Sequence, residues 1–500
     1  MKVFKLLKKL FLYMKKCPLR SLFLPGFVIL CATLVSPAGG SASEAELTAG
    51  SSTLRDTLLI VRPGDSLSRI ANRLLSLSDH YTNGQMVEEI RRYNALASDT
   101  LWPGQTLQIQ LRYQEPLPPI APKARDFEAR GIYVNATIAG TPRILALADR
   151  LLEAGGNTIV FDIKDRPGDL SYDSRVPLAA AINASSESTI PRPRRLVDLL
   201  HRQGIHVVAR IACFYDTRLA RSRPELMPRS KRTGEPWHEK GQPGWVDPSN
   251  PQVQNYLLDI IKEVAEIGVD EIQLDYLRFP TEGNVEDAVF AFDPETSAKH
   301  QVITGFLHRV RQILKPTQIL LAADIFGVVA WGNAADVEST GQNLPDLLPL
   351  LDVVSPMLYP SHFYGRFARI ADPVGHPYAV VHQGCHNLSR LAAPYAVTVR
   401  PWIQAFSYRV PDFDLNYIAE QLRGAEAGGA RGWLLWNSAG RYQKGLAAID
   451  HFENPPAAVD STLLKKRIPQ KKELDQASLG KRVGGDSSGS DLQKQSPRSK

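Results

Sequence analysis

The sequence predicts a (β/α)8 TIM-type barrel preceded by a small α+β unit, and three observations support this fold class. Short apolar segments rich in Val and Ile alternate with amphipathic stretches between residues 129 and 452. Eight of these apolar segments have the length and composition of strands. No GxGxxG motif follows the first of them, and the chain has no P-loop. Eight alternations over about three hundred residues fit a closed barrel better than an open doubly wound sheet.

The N-terminal segment, residues 1–42, has the order of features found in secretory signals. Lysines crowd its start, an apolar run from Leu22 to Val35 follows, and small residues precede position 42. The run contains Pro25 and Gly26 and is shorter than the roughly 20 residues of a spanning helix, so cleavage is favoured over a retained anchor. We therefore expect export to the periplasm, cell envelope or extracellular space, with no stable transmembrane span after signal removal. Residues 43–56 are small and polar, which predicts a spacer.

A compact unit is predicted for residues 57–111, and prolines predict an extended linker over residues 112–128. The unit begins with the stretch TLLIVRPGDSLSRIA and ends with the stretch LWPGQTLQI. Both stretches resemble a LysM module. The resemblance implies a βααβ fold that binds N-acetylglucosamine-containing glycan, such as peptidoglycan or a chitin-like polymer; a structural spacer without a ligand is the alternative. The segment from Ser76 to Gln85 is longer than usual, so we expect an altered groove.

The charge distribution does not indicate a nucleic-acid partner. The net charge of +7 comes largely from lysines at the two ends of the chain. Residues 453–500 contain few apolar residues, which predicts a disordered basic tail that an anionic envelope polymer could contact. Outside the signal only Cys213 and Cys385 remain, and the sequence leaves open whether they pair or are two buried thiols.

The barrel strands predict where the chemistry lies. The eight strand candidates are Gly131 to Asn135, Asn157 to Lys164, His206 to Phe214, Glu271 to Phe279, Gln318 to Phe326, Val353 to Tyr359, Pro401 to Phe406 and Gly432 to Asn437. Alternate residues on each strand point into the barrel, and polar ones near the carboxyl end point to the active-site mouth. This parity places Glu271, Gln273 and Asp275 inside on the fourth strand, with Asp275 nearest the mouth. The same rule points Asp162, Lys164, Arg210, Asp324 and Gln404 inward.

Carboxylates in pairs are what glycosidic cleavage requires, one as proton donor and one as nucleophile or activator of water. The motifs GIYVN, FDIKD, WVDP, EIQLDYLRFP, ADIFG, MLYPSH and RPWIQ, spread over the middle domain, resemble a glycoside hydrolase family once catalogued as a bacterial domain of unknown function. The resemblance implies that Asp275 is the nucleophile and that Asp324, ending the fifth strand, is the acid/base. Family members commonly carry Asp where this chain has Ala405, so no role is assigned to that position.

Each candidate also has a structural interpretation. Asp275 could form an ion pair with Arg278, and Asp324 could be a hydrogen-bonded carboxylate that orients its neighbours. Asp162 and Lys164 are predicted to be a satisfied interior pair, with contact to substrate hydroxyls as the alternative. The remaining substrate-binding candidates are Arg210, Arg278, Gln404 and the rings of Tyr359, His362, Trp402 and Trp436. Such rings suit the apolar faces of sugars but are equally common in barrel packing.

No cofactor or metal is expected. His382 and His386 flank Cys385, but Gly384 favours a loop there and no third ligand is evident. The sequence therefore predicts an exported hydrolase of an envelope or extracellular polysaccharide that uses Asp275 and Asp324. A barrel that binds glycan without catalysis, or a transglycosylase, are the alternatives.

Overall fold

The computed structural model describes residues 53–113 and 127–453. The predicted signal, the basic tail beyond residue 453, and most of the predicted spacer and linker lie outside the described residues. Within the two described ranges, no helix combines the length and apolar character needed to cross a membrane.

The N-terminal unit has the predicted βααβ order. Strand β1 (Thr53–Ile60) pairs antiparallel with β2 (Thr106–Tyr113), and the helices α1 (Leu67–Leu74) and α2 (Asn83–Tyr93) lie between them in the chain. The Ser66 hydroxyl caps α1 by accepting from the Arg69 amide at 3.3 Å, as Ser commonly does at a helix start. The apolar side chains of both helices close a small core with β2, formed by Val61, Leu67, Ile70, Ala71, Leu75, Met86, Ile90, Leu107 and Ile109.

The barrel sheet is built from parallel strands in sequence order. They are β3 (Ala129–Val134), β4 (Thr158–Lys164), β5 (His206–Ala212), β6 (Glu271–Asp275), β7 (Leu320–Ile325), β8 (Val353–Pro356), β9 (Thr398–Val399), β10 (Trp402–Gln404) and β11 (Gly432–Trp436). Each strand from β3 to β8 pairs with the next, and β11 pairs with β3. All eight predicted strand positions are confirmed.

The seventh barrel strand closes the sheet in two halves. Its first half, β9, pairs with β8, and its second half, β10, pairs with β11. Arg400 and Pro401 separate the two halves, and a parallel bridge between Met357 and Trp402 joins the sixth strand to the second half. Because the two ends of the sheet belong to one interrupted strand, the eight strands form the predicted barrel.

Helices cover the outside of the barrel and form its connections. They are α3 (Ala136–Ala139), α4 (Arg143–Glu153), α5 (Pro177–Ala181), α6 (Pro193–Arg202), α7 (Thr217–Ser222), α8 (Pro251–Ala265), α9 (Lys299–Leu314), α10 (Ala334–Thr340), α11 (Leu344–Leu347), α12 (Pro377–Ala392), α13 (Leu415–Ala427) and α14 (Gln443–Glu453). Short 3-10 turns lie at Leu75–Leu77, Pro224–Leu226, Val285–Asp287, Gly327–Trp331, Leu348–Leu350 and Pro360–His362. Two-residue strands Arg229–Ser230 and Ala288–Val289 pair antiparallel above the sheet.

The long segment between α1 and α2 contacts the barrel. Tyr81 is buried among apolar side chains of the barrel domain. The Arg195 guanidinium, on α6, donates to the carbonyl oxygens of Ser78 and His80, the latter at 3.0 Å. The unusual length of this segment therefore provides an attachment to the neighbouring domain.

Candidate active site

A cavity of about 490 Å³ opens at the carboxyl ends of the barrel strands. Its lining comes from the loops after most of the strands and includes Arg166, Arg210, Tyr215, Glu239, Trp245, Asp275, Tyr276, Arg278, Glu282, Phe326, Tyr359, His362, Tyr364, Trp402 and Trp436. Active sites of this fold lie at the same end of the barrel, because the strand ends and their loops converge there. The lining combines three arginines, three carboxylates and a large aromatic surface.

Asp275 is the carboxylate at the centre of this mouth. Strand β6 ends at Asp275, and Tyr276 then adopts a left-handed backbone conformation with φ of 51°. The Tyr276 amide donates to Asp275 Oδ1 at 2.6 Å, and Arg210 Nε donates to Oδ2 at 3.1 Å. The side chain thus reaches the cavity with both oxygens oriented by fixed donors.

Arg210 joins Asp275 to a second buried carboxylate. Its Nη1 donates to Asp162 Oδ1 at 2.5 Å, while Nη2 donates to Asp275. The Tyr133 hydroxyl donates to the other oxygen of Asp162, also at 2.5 Å. Burial raises the pKa of Asp162 above its usual value, although the charge of Arg210 partly offsets this effect. One guanidinium on β5 therefore compensates two buried acids on the two strands that flank it.

Asp324 lies behind the wall of the cavity, since it is 1% exposed and is absent from the lining. Its Oδ1 accepts from Gln273 Nε2 at 2.8 Å and from Trp402 Nε1 at 2.7 Å. Its Oδ2 is buried without a hydrogen-bond partner among the described residues. Burial, followed by the negative charge of Asp275, raises the pKa of Asp324 well above its usual range. A carboxyl group in this environment favours the protonated form.

Seven of the predicted site residues line the cavity. They are Asp275, Arg210, Arg278, Tyr359, His362, Trp402 and Trp436. Asp162 and Asp324 lie immediately below the lining and are linked to it by hydrogen bonds. Nine of the eleven predicted residues therefore lie in one region of the barrel, and strand parity had pointed to four of them: Asp162, Arg210, Asp275 and Asp324.

Lys164 and Gln404 do not reach the cavity. Lys164 is fully buried, and its ammonium group contacts Asp216 at 2.9 Å rather than Asp162. A bulge between Asp162 and Lys164 shifts the register against β5, so simple alternation fails at the end of β4. The predicted Asp162–Lys164 pair is thus wrong, and Asp162 pairs with Arg210 instead.

Gln404 has a structural environment. Its Oε1 accepts from the Ser361 amide at 3.0 Å, and its Nε2 donates to the Phe406 carbonyl at 2.9 Å. The side chain is fully buried. Its contact with Ser361 joins the loop after β8 to the end of β10, and its contact with Phe406 holds the loop after β10. Gln404 thus shapes the mouth without facing it.

Arg278, which the sequence suggested as an ion-pair partner of Asp275, forms other contacts. Arg278 donates to the Phe279 carbonyl at 2.9 Å and to Thr281 Oγ1 at 3.3 Å, and Asp275 pairs with Arg210. The Arg278 guanidinium lies 4.8 Å from the ring centre of Trp245. Arg278 is therefore held mainly by aromatic packing.

Sequence reasoning missed much of the upper lining. Arg166, Tyr215, Glu239, Tyr276 and Tyr364 lie on or near the loops after the strands, where parity makes no prediction. Trp245 belongs to the WVDP motif, and this motif was the only signal that could have pointed to it. Its ring packs edge-on against Tyr215 at 5.2 Å.

The structure answers the questions that the sequence left open about the cysteines and about the segment around His382. Cys213 and Cys385 are both free and buried. His382 and His386 lie on helix α12, so the predicted loop is wrong. Gly384 fits there because a Cβ would come within 2.6 Å of a Leu358 methyl group. The described residues contain no cluster of three or more groups that could hold a metal ion.

Comparison with known families matches the two parts of the chain separately. Residues 131–442 match a family described as "Putative glycosyl hydrolase domain", which covers more than half of the chain. The chain belongs to this family. Residues 59–110 match the LysM domain family. The predicted assignment to a glycoside hydrolase family with an N-terminal LysM module is therefore confirmed.

Solved structures that match this chain include several glycoside hydrolases. A hypothetical protein from Ruminiclostridium thermocellum is 32% identical, with 39% of this chain and 97% of that chain covered and a TM-score of 0.35. The PgaB (BpsB) glycoside hydrolase domain from Bordetella bronchiseptica is 14% identical, with 66% and 100% covered and a TM-score of 0.48. A β-N-acetylhexosaminidase from Bacteroides fragilis is 13% identical, with 77% and 75% covered and a TM-score of 0.43. Comparison with curated proteins finds no match.

Proposed function

We propose that the barrel hydrolyses glycosidic bonds of a cell-envelope or extracellular polysaccharide, and that the LysM module holds the enzyme on N-acetylglucosamine-containing glycan. The observation that carries the proposal is that one carboxyl group lines the cavity while a second lies buried behind the cavity wall. Asp275 reaches the cavity beside a guanidinium, whereas Asp324 is buried behind it with a raised pKa. Two acids whose environments differ in this way suit the two roles of glycosidic cleavage.

In this mechanism Asp275 acts on the anomeric carbon. Its carboxylate attacks as nucleophile, the bond to the leaving oxygen breaks, and Asp324 supplies the proton that the leaving oxygen takes up. Water then attacks the glycosyl–enzyme bond, loses its proton to Asp324 and releases Asp275. Arg210 orients Asp275 throughout, and Gln273 and Trp402 orient Asp324.

A second carboxylate competes for the proton-donor role. Glu239 lines the cavity directly, whereas Asp324 is almost fully buried. Among the described residues, no ion pair joins Glu239 to a basic side chain. Substrates with activated leaving groups separate the two acids, because an enzyme that lacks its proton donor still cleaves a bond whose leaving group needs no protonation.

The test compares wild-type protein with Asp275→Asn, Asp324→Asn and Glu239→Gln on peptidoglycan and a panel of polysaccharides. Asp275→Asn should abolish turnover, and unchanged turnover would end the assigned mechanism. Whichever of Asp324→Asn and Glu239→Gln removes the proton donor should still cleave aryl glycosides with acidic leaving groups and should no longer cleave the polysaccharides. The anomeric form of the first product distinguishes retention from inversion, and sugar-acceptor products would indicate a transglycosylase.

The non-catalytic alternative is favoured by one observation, the burial of Asp324 away from the lining. A barrel that only binds glycan would show saturable binding to a polysaccharide and no reducing ends after prolonged incubation. Binding that survives in Asp275→Asn, together with wild-type turnover, would instead support hydrolysis.

The LysM module presents an aromatic ring suited to a sugar. Trp102 is 70% exposed on the loop before β2. That loop lies beside the turn after β1, since the Gly104 amide donates to the Val61 carbonyl at 2.8 Å. We expect Trp102→Ala to weaken co-sedimentation with insoluble peptidoglycan or chitin. Leu391→Ala, at an exposed position on α12, is the matched control.

A further inference from the structure

We propose that the cavity recognises a sugar carrying a carboxylate group, and that Arg166 and Arg278 contact this carboxylate. The inference rests on the proposed function, because it takes the ligand to be a glycan. It adds the chemical class of the sugar at the mouth.

Both arginines are held in position by aromatic rings. Arg166 follows β4, and its guanidinium carbon lies 4.2 Å from the ring centre of Tyr215. Arg278 follows β6, and its guanidinium carbon lies 4.8 Å from the ring centre of Trp245 and 4.7 Å from that of Phe326. Stacking on rings orients a guanidinium and leaves its edge available to a planar acid.

The carboxylates around the cavity are engaged in ways that leave these two arginines without a direct ion-pair partner. Arg210 is occupied by its two aspartates, and Glu282 pairs with Lys240. Glu239 is then the remaining carboxylate of the lining that faces both Arg166 and Arg278. The arginines and carboxylates of the lining balance in number, but among the described residues neither Arg166 nor Arg278 forms an ion pair with a carboxylate.

The environment of Arg278 supports the same conclusion. Among the described residues, Arg278 donates hydrogen bonds only through Nη1, to the Phe279 carbonyl and Thr281 Oγ1. Burial lowers the pKa of Arg278, and nearby acidic groups only partly offset the effect. A desolvated cation of this kind gains from an anionic ligand, because the ligand replaces the solvation that burial removes.

A carboxylate fits this site in geometry and in charge. The two oxygens of a carboxylate match the planar fork of a guanidinium. A ligand carboxylate would also give Arg166 and Arg278 the ion-pair partner that the described residues do not supply. Such a group occurs as a uronate ring substituent or as an acidic ether on an amino sugar, and these two sources share the chemistry proposed here.

The experiment measures binding by titration calorimetry with full-length protein carrying Asp275→Asn, so that the ligand is not cleaved. The probes are glycan strands from peptidoglycan, oligouronates, the carboxyl-reduced form of each, and chitin oligosaccharides. We expect at least one acidic probe to bind about tenfold or more tightly than its reduced form, as for a charge-assisted hydrogen bond. The acidic probe that does so identifies the source of the carboxylate.

Arginine variants that also carry Asp275→Asn test whether Arg166 and Arg278 cause the preference for acidic over reduced probes. Arg166→Gln and Arg278→Gln should each reduce the ratio between acidic and reduced probes while leaving the affinity for the reduced probe nearly unchanged. Arg366→Gln removes the same charge from an exposed position that does not line the cavity, and it should leave the ratio unchanged. Because Arg166 is exposed, its replacement tests the site even if Arg278→Gln impairs folding.

Equal binding of acidic and reduced probes, or no binding of any acidic probe, would overturn the proposal. A preference that persists in both arginine variants would overturn it as well. Failure of the proposed function has a different result: acidic probes would bind with the expected preference, but wild-type protein would release no products from them. Turnover of neutral glycans without any acidic preference would refute only the carboxylate site.

Discussion

Replacement of Arg210 by Met tests whether one guanidinium holds the floor of the cavity together. Arg210 is 4% exposed and bonds to both Asp162 and Asp275, which are themselves buried. Removing one partner of a buried ion pair typically costs about 3–5 kcal/mol, because the other charge is left uncompensated. We expect Arg210→Met to lose about this much free energy of unfolding. The side chains are of similar length, so the loss reflects mainly charge.

The dependence of this loss on pH follows from Asp162. Its folded pKa is raised, mainly by burial, so stability linked to its bound proton is present at low pH and lost as the pH rises through the folded pKa. Without Arg210 the pKa of Asp162 should rise further. The destabilisation by Arg210→Met should therefore be larger at pH 8 than at pH 5.

Urea unfolding monitored by circular dichroism at both pH values measures these effects, with Asp162→Asn and the double variant completing a cycle. The double variant should be more stable than Arg210→Met alone, because one uncompensated charge is gone. A loss below about 1 kcal/mol, or a loss unaffected by Asp162→Asn, would refute the assignment of Arg210 as the shared partner.

Three further perturbations probe other parts of the barrel. Lys164→Met should cost about 3–5 kcal/mol in urea unfolding by stranding buried Asp216, whereas Lys262→Met breaks an exposed pair and should cost less than about 1 kcal/mol. If Asp324 is the proton donor, activity should fall at high pH as it loses its proton, and rate profiles of Asp324→Asn should lack that limb. Gly432→Ala should lower stability by about 2 kcal/mol or more, measured by thermal unfolding, because φ is 79° and a Cβ would lie 2.0 Å from a backbone oxygen.

The strands could be predicted because each combines an apolar outer face with a turn signal at its end. On β4, for example, Ile159, Phe161 and Ile163 all join the apolar layer against the helices, as their alternation predicts. The alternation failed only locally, at Lys164, where a bulge inserts an extra residue into the ladder. A bulge depends on pairing with the neighbouring strand, and no pattern within β4 itself encodes it.

The loop residues could not be predicted for a different reason. Glu239 and Arg166 reach the cavity only because long connections fold over the strand ends, and such connections lack a hydrophobic period. The helix at His382 was also missed, because Gly384 normally disfavours a helix interior. Its close packing against Leu358 outweighs that propensity and could not be read from the local sequence.

Strand parity determines whether a side chain points into the barrel, but it does not determine which neighbouring side chains cover it. Asp275 and Asp324 both point inward, yet only Asp275 lines the cavity. Leu274 and Ala323 pair in the parallel ladder, so the two acids follow them at equivalent positions on adjacent strands. The Trp402 indole donates to Asp324 and lines the cavity in its place, and this contact, rather than any difference in residue type, gives the two acids separate environments.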